Sequence, residues 1–208
     1  MTLVATADSA ADSAIASTPS IDGPTLAGAI VSLRAIGPAD YERLRSLELS
    51  SSLLWRWRHG GHTPSPEAWT ASLWNGALAQ FLVVDNRTGE WVGLVNAYDA
   101  DQRNQHAYIA AAKFAPSDRS ARVLQGAMLF VDYVFSTWSF RKLYFEAPAF
   151  NLDQFRSAVG WLLVEEGRLR DHICLDGRLW DLLVLALYRA AWNSKRPELV
   201  EFAREENG

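Results

Sequence analysis

The segment LWRWRHGGHTPSP, residues 54–66, concentrates side chains that could bind a metal, an anion or a small molecule. His59 and His62 lie three residues apart, but no cysteine or carboxylate nearby completes a zinc site. Two arginines in a chain of net charge −4 do not make a nucleic-acid patch. Two interpretations therefore stay open: tryptophans that cover the core beside solvated arginines, or one wall of a small-molecule pocket.

The composition is that of one globular domain. The 208 residues are 49% hydrophobic and 21% charged, and nine tryptophans are the unusual count. The net charge of −4 provides no general attraction for nucleic acids or anionic membranes. The single Cys174 excludes an intramolecular disulfide and a cysteine-built zinc site. No apolar run reaches the ~20 residues of a membrane-spanning helix, so we expect no metal, nucleic-acid or membrane partner.

Both ends of the chain differ in composition from its middle. Residues 1–28 are rich in Ala, Ser and Thr and lack both the basic start of a secretory signal and the arginines of a transit peptide. We therefore expect a flexible tail over residues 1–28 and a cytoplasmic location. The ordered domain is expected over residues 29–193, followed by a charged tail over residues 194–208.

Hydrophobic periodicity predicts the elements of the first half of that domain. IVSLRAI alternates like an edge strand, and GPADYERLRSLE is typical of a helix. A second helix is predicted for SPEAWTASLWNG, with Ser65 as its N-cap and Pro66 in its first turn. Three strands follow, the first two joined by the turn formers of NRTG.

The second half alternates helices and strands. RVLQGAMLFVDYVFSTW has helical spacing, and RKLYFEAPAF is typical of a strand. We expect a helix over NLDQFRSAVGWLLVEEG, begun by Asn151 and ended by Gly167, and then a hairpin that turns at Asp176–Gly177. The order predicts an α+β single domain with a mainly antiparallel mixed sheet of about seven strands and helices on both faces.

Four segments carry a family resemblance: VSLRAIGPADYERL, DNRTGEWVGLV, RKLYFEAPAFN and EEGRLRDHICLDGRLWDLLVLALYRAAW. In this order they resemble the GNAT superfamily of acyl-CoA-dependent N-acyltransferases, and most of all the branch that includes the ribosomal-protein N-terminal acetyltransferases. The resemblance covers roughly Val31 to Trp192. It implies a transfer of an acyl group, acetyl in the simplest case, from acetyl-CoA to the amine of a small molecule or of a protein N-terminus. Homodimer formation stays open.

The resemblance also implies where the donor binds. In this family the fourth and fifth strands splay apart and expose backbone groups to the pantetheine arm, and the following helix directs its N-terminus at the pyrophosphate. The implied donor residues are Lys113, Phe114, Ala115, Arg119, Ser120, Ala121, Arg122, Val123, Leu124 and Asn151.

The sequence departs from the family at two places. The family's phosphate loop reads Arg/Gln-x-x-Gly-x-Gly/Ala, whereas RSARVL has Arg122 and Leu124 where small residues are usual and is about one residue short. On the fourth strand, Tyr108 takes the place of the family's usual glutamate. On the helix after the fifth strand, Ala158 takes the place of the tyrosine that usually serves as the acid.

We expect Glu146, Tyr108 and Ser157 to serve as the acid–base set in place of the missing residues. An equal alternative is that Glu146 is a solvated or salt-bridged carboxylate on a strand, without a catalytic role. An amine that is already neutral can attack the thioester directly, and this attack needs mainly correct positioning. An incomplete set of acid–base residues therefore still allows catalysis.

Residues 54–66 fall between the first two predicted helices, on the acceptor side of the family's cleft. The resemblance implies an acceptor wall made of Trp55, Arg56, Trp57, Arg58 and His59. Two alternatives to CoA-dependent transfer stay open: a GNAT-fold protein that binds a ligand or partner without turnover, and a transferase whose donor is an acyl carrier protein or an aminoacyl-tRNA.

Overall fold

A computed structural model describes residues 25–50, 59–115, 121–154 and 158–205. Eight strands and four α-helices lie in this part of the chain. In chain order the elements are β1 Thr25–Ala27, β2 Val31–Ala35, a 3-10 helix Pro38–Asp40, α1 Tyr41–Ser50, α2 Pro66–Leu73, β3 Ala77–Asp85, β4 Trp91–Asp101, β5 His106–Lys113, α3 Arg122–Thr137, β6 Lys142–Pro148, a 3-10 helix Ala149–Gln154, β7 Leu163–Leu175, β8 Arg178–Tyr188 and α4 Arg189–Glu205.

The strands form one mixed sheet in the order β1-β2-β3-β4-β5-β6-β8-β7. Every neighbouring pair is antiparallel except β5 and β6, which run parallel. This confirms the predicted α+β class and the mainly antiparallel sheet. The predicted hairpin turn is also confirmed, because Leu175 pairs with Arg178 across Asp176–Gly177.

Helices cover both faces of the sheet, as predicted. On one face α3 buries Phe130, Val131 and Val134 against the central strands. On the other face Leu44 of α1 and Trp69 of α2 pack with residues of β3 and β4 in a second apolar cluster. Sheet residues alternate between these two clusters because successive side chains of a strand point to opposite faces.

Helix α2 begins as its sequence predicts. The Ser65 hydroxyl accepts a hydrogen bond from the Ala68 N–H at 3.2 Å, and Pro66 occupies the first turn. A serine cap followed by proline satisfies one of the free amides at the helix start. Trp69 and Leu73 are buried, whereas Trp74, the C-cap residue, is 41% exposed.

The N-terminal boundary of the domain lies earlier than predicted. β1 falls inside the segment expected to be a flexible tail, and it pairs antiparallel with β2 from Thr25↔Arg34 to Ala27↔Ser32. The Asn86 side-chain amide donates to the Gly28 carbonyl at 2.8 Å and fixes the connection. A three-residue strand is too short to leave a periodic signal in the sequence.

The helix predicted from Asn151 to Gly167 is wrong. A 3-10 helix ends at Gln154, and Leu163 already begins the long strand β7. Gly160 has a φ of +86°, which ends helical geometry, and Val164 and Glu165 pair with β8. The apolar run WLLV fits either type of element, and the sheet pairing decides in favour of the strand.

Residues 194–205, expected to belong to a tail, continue a helix. α4 extends to Glu205, and Leu199 is buried against the main core. Earlier in α4, the Arg189 guanidinium donates to the carbonyls of Phe135, Trp138 and Phe140 at the end of α3. None of the helices that the structure describes has the length and apolar content needed to cross a membrane.

The start of α3 approaches the sheet closely because β4 has a glycine there. A Cβ built on Gly93 would lie 2.5 Å from the Ala112 carbonyl oxygen and 2.8 Å from Cγ2 of Val123. No side chain fits in this space, so Gly93 sets the distance between the first turn of α3 and the end of β5.

We predict that Gly93→Ala lowers the free energy of unfolding by about 1–3 kcal/mol, because the methyl group overpacks the contact. The matched control is Gly167→Ala in β7, where the new Cβ would meet only Val184 at 3.8 Å. Urea denaturation of both variants measures the effect. Equal stability of Gly93→Ala and the wild type would contradict this account of the packing.

Candidate functional site

The parallel strands β5 and β6 separate after three residue pairs. They pair at His106↔Lys142, Ala107↔Leu143 and Tyr108↔Tyr144, and within the described strands no further pair follows. Residues 109–113 keep their pairing with β4, and residues 145–148 keep theirs with β8. The sheet therefore has an opening in its middle whose two edges present backbone N–H and C=O groups, the usual partners of an extended ligand.

The N-terminus of α3 lies at the wide end of this opening. Ala121 is its N-cap and provides no side-chain hydrogen bond, and the first helical bond runs from the Gln125 N–H to the Ala121 carbonyl at 2.8 Å. The amides before Gln125 thus have no partner inside the helix, and the helix dipole makes this end attractive to an anion. Val123 packs on Gly93, which pairs with Lys113 at the end of β5.

Arg122, predicted as a phosphate ligand, already binds a carboxylate. Its Nη1 donates to Oδ2 of buried Asp85 at 2.7 Å. This hydrogen bond, aided by the N–H groups of Thr88 and Arg87, holds the pKa of Asp85 below its usual value despite burial. The ion pair joins α3 to the β3–β4 turn.

A cleft of about 290 Å³ lies beside the opening, on the sheet face that carries α1 and α2. Its floor is formed by β4 and β5, and its wall by the ends of α1 and α2. The lining residues are Glu48, Ser72, Leu73, Asn75, Ala77, Leu94, Asn96, Tyr98, Ala110, Ala112 and Phe114. Among these described lining residues, Glu48 is the only one with an acidic side chain.

Glu48 is a buried carboxylate held by two rings. Its Oε2 accepts a hydrogen bond from the Trp69 indole N–H at 2.7 Å, and His59 Nε2 lies 3.3 Å from the same oxygen. The residue is only 2% exposed, so these contacts fix its position in the wall of the cleft. No group of three or more His, Cys, Asp or Glu side chains in the described part of the chain could hold a metal ion.

Three tyrosines form a row across the narrow end of the opening. Tyr98 pairs with Tyr108, and Tyr108 pairs with Tyr144, so their side chains share one sheet face. Their ring centroids are 5.6 Å and 5.2 Å apart, with interplanar angles of 33° and 32°. We call Tyr98, Tyr108 and Tyr144 the tyrosine row.

Glu146 lies near this row and is exposed to solvent. Burial raises the pKa of Tyr98 to about 12, and the negative charge of Glu146 adds to the rise. The same two causes raise the pKa of Tyr108. Both phenols therefore stay protonated at neutral pH, so they can donate hydrogen bonds but do not accept protons.

Glu166 of β7 fixes the end of the tyrosine row. Its Oε2 accepts hydrogen bonds from Lys142 Nζ at 2.6 Å and from the Tyr144 hydroxyl at 2.9 Å, and its Oε1 accepts one from Tyr188. Burial alone raises the pKa of Glu166, but these hydrogen bonds outweigh it and lower the pKa to about 2. The Tyr144 hydroxyl therefore donates to a carboxylate that is ionised at neutral pH.

The structure brings some of the predicted site residues together. Glu146 and Tyr108 meet at the narrow end of the opening, Phe114 lines the cleft, and His59 contacts Glu48. Lys113 ends β5, Ala115 is exposed just beyond it, and Leu124 is exposed in the first turn of α3. Asn151 lies in the 3-10 helix that follows β6. The predicted residues outside the described part of the chain are Trp55, Arg56, Trp57, Arg58, Arg119, Ser120 and Ser157.

Three residues of this site were missed by sequence reasoning. Glu48 follows buried Leu44 by four positions, and this spacing on the inner side of α1 was an available signal. Tyr98 and Tyr144 had no such signal, because their meeting with Tyr108 depends on the strand register.

Comparison with solved structures shows that the chain has the GNAT fold. A GCN5-related N-acetyltransferase from Brucella melitensis is similar at a TM-score of 0.68 and 20% identity, over 88% of this chain and 87% of that one. A probable GNAT-family acetyltransferase from Chromobacterium violaceum gives 0.63 and 19%, over 93% and 100%. Spermidine N-acetyltransferase from Vibrio cholerae, in complex with CoA and spermine, gives 0.64 and 19%, over 80% and 99%. The sequence itself matches no family model and no curated protein.

We predict that the contribution of Glu166 to stability depends on pH. Its pKa is lowered from 4.5 to about 2 on folding, so its contribution is fully present above about pH 5 and is lost as the pH falls through about 2. The difference in free energy of unfolding between wild type and Glu166→Gln should therefore shrink steadily on acidification. Urea denaturation of both proteins at several pH values measures it, and a difference that does not change with pH would contradict the prediction.

Proposed function

We propose that the protein is an N-acyltransferase that moves an acyl group, acetyl in the simplest case, from CoA to an amine. The observation that carries the proposal is the opening between β5 and β6, which adjoins both the N-terminus of α3 and the cleft under α1 and α2. A thioester in the opening and an amine in the cleft would meet at their junction.

The donor half rests on backbone groups. The strand edges that face each other across the opening fit the amides of a pantetheine arm, which pair with a strand edge as a peptide does. The first-turn amides of α3 fit the pyrophosphate. Backbone N–H groups can donate hydrogen bonds to phosphate whatever side chain the residue carries. The absence of the family's glycines from the phosphate loop therefore leaves this binding mode intact. We assign Arg119, Ser120 and Asn151 to the same donor site.

The acceptor half rests on charge. Glu48 in the wall of the cleft and Glu146 near the narrow end of the opening favour a cationic group, and Asn75, Asn96 and Tyr98 provide polar partners. A small-molecule amine fits this cleft. The similarity in fold to a spermidine N-acetyltransferase supports an amine acceptor. Trp55, Arg56, Trp57 and Arg58 are proposed to complete the wall.

The chemistry is a direct transfer. The lone pair of the neutral amine attacks the thioester carbonyl carbon, an N–C bond forms, and the C–S bond breaks with release of the CoA thiolate. We assign to Glu146 the removal of the amine proton and to the protonated Tyr108 a hydrogen bond to the thioester oxygen or the leaving sulfur. Ser157 stays a candidate partner of the thiolate.

The donor assignment predicts that CoA and acetyl-CoA bind and that Arg119→Ala weakens both by about tenfold or more, because a charge-assisted bond to phosphate is lost. Isothermal titration calorimetry measures the affinities. Arg87→Ala, an exposed arginine of the β3–β4 turn, is the matched control and should bind as the wild type does.

No heat with millimolar acetyl-CoA would overturn the proposal and favour a carrier-protein or aminoacyl-tRNA donor. Binding of CoA without thiol release in the presence of any amine tested would favour the ligand-binding alternative. Unchanged affinity of Arg119→Ala would show that the phosphate loop is misplaced.

The acceptor assignment predicts that Glu48→Gln lowers kcat/KM for a cationic amine by about tenfold or more, because a neutral amide replaces the carboxylate. Its affinity for CoA should not change. The assay follows thiol release with spermidine and with a peptide of free N-terminus as probes. Glu42→Gln, an exposed residue of the same helix, is the control. Equal kcat/KM for wild type and Glu48→Gln would remove Glu48 from the acceptor site.

A further inference from the structure

We infer that Asn96 holds the attacking amine through its carboxamide oxygen and that Gln80 positions Asn96 for this task. The inference rests on the proposed function, since it concerns the acceptor bound in the cleft beside β5. It adds to that function the group that orients the nucleophile, and it requires that the reacting nitrogen binds there as a neutral amine with an N–H.

Gln80 has a buried oxygen for which the described part of the chain provides no partner. The residue is 3% exposed, and its Nε2 donates to the Leu73 carbonyl at 3.4 Å, at the end of α2. This bond orients the carboxamide, whose Oε1 is buried and accepts no hydrogen bond from any described residue. Because buried polar atoms in native proteins nearly always have a partner, we expect a donor beside this oxygen.

Asn96 is placed to supply that donor. It lies directly opposite Gln80 in the β3–β4 ladder, and the Cβ atoms of such a pair are about 5 Å apart. Val95 and Ala97 are buried in the main core, so Asn96 between them points to the opposite face, where it lines the cleft. Rotation of its carboxamide turns the NH2 group toward Gln80 Oε1, and a hydrogen bond between the two carboxamides then satisfies the buried oxygen.

This hydrogen bond leaves the Asn96 oxygen on the side of β5. The other cross-strand neighbour of Asn96 is Ala110, a small residue that also lines the cleft. Ala110 lies two residues after Tyr108, the last residue of β5 that pairs with β6, and therefore at the opening proposed for the thioester. An N–H that is bonded to Asn96 Oδ1 is thus held next to the thioester.

A carboxamide suits this position better than a carboxylate does. Its oxygen accepts a hydrogen bond from the N–H of a neutral amine and leaves the lone pair of the nitrogen free for attack. A carboxylate at the same place would stabilise the ammonium form, which has no lone pair. In the transfer the N–C bond forms, the C–S bond breaks and the amine proton leaves to Glu146, so Asn96 itself exchanges no proton.

The test measures thiol release with spermidine and with a peptide of free N-terminus, at saturating acetyl-CoA. We expect Asn96→Ala to lower kcat/KM by about tenfold or more, because a hydrogen bond to the amine is lost, and to leave the affinity for CoA unchanged. Asn193→Ala, a change at an exposed residue of α4, is the matched control. Asn96→Asp should shift the pH profile of kcat to higher pH, because the carboxylate raises the pKa of the bound amine.

A double-mutant cycle tests the role of Gln80. Gln80→Met keeps the length of the side chain and removes its oxygen. It should lower kcat/KM in the wild type and have no further effect in Asn96→Ala, because its effect acts through Asn96. Equal losses in both backgrounds would refute this positioning role, since a merely structural effect does not depend on Asn96.

Failure of the inference is distinguishable from failure of the proposed function. If the wild type binds no CoA compound, or releases no thiol with any amine tested, the proposed function is refuted and the inference falls with it. If the wild type releases thiol and Asn96→Ala has the same kcat/KM, the proposed function stands and the role of Asn96 is refuted. An unshifted pH profile of Asn96→Asp refutes that role as well. This isosteric variant decides the question if Asn96→Ala fails to fold, which circular dichroism would reveal.

Discussion

The separation of β5 from β6 is the constraint on which the rest of the site depends. Each of the two strands is committed to its other neighbour: β5 pairs with β4 as far as Lys113, and β6 pairs with β8 as far as Pro148. Between them only three pairs form. Backbone groups in the middle of a sheet need partners, so an opening there is stable only where solvent or a ligand supplies them. The fold thus keeps an opening inside an otherwise continuous sheet.

Several contacts keep α3 aligned with that opening. At its start, Gly93 allows close approach to the sheet, and the Arg122–Asp85 ion pair ties the first turn to the β3–β4 connection. At its end, Arg189 donates to the carbonyls of Phe135 in the last turn and of Trp138, the C-cap, where a cation also compensates the helix dipole. The helix is therefore fixed at both ends. The side chain of Arg122 helps to align the helix through its ion pair with Asp85. The backbone amides of the first turn, which this ion pair positions, are the groups available to an anion.

Local chemistry made much of the fold predictable, and tertiary pairing limited the rest. The Ser65 cap, the NRTG turn and the Asp176–Gly177 turn each have a short-range cause, and the structure has all three where the sequence predicts them. The run from Asn151 to Gly167 lacks such a cause, since its apolar residues suit a helix or a strand until β8 provides a partner. At the site, Tyr108 and Glu146 were predicted as substitutes for the family's missing acid–base residues, and their roles stay predictions. Glu48 could have been found only from its position on the inner face of α1.

Tyr98 shows why the site could not be completed from the sequence. Asp101 pairs with His106, and an uninterrupted hairpin would place Asp99 opposite Tyr108 and turn Tyr98 toward α3. Asp99 instead has a φ of +46°, its N–H binds the Gly76 carbonyl at 3.1 Å, and the register shifts by one residue. The shift brings Tyr98 opposite Tyr108 and onto the cleft face. The tyrosine row therefore depends on one irregular residue in β4, whose conformation is set by a loop from a different part of the chain.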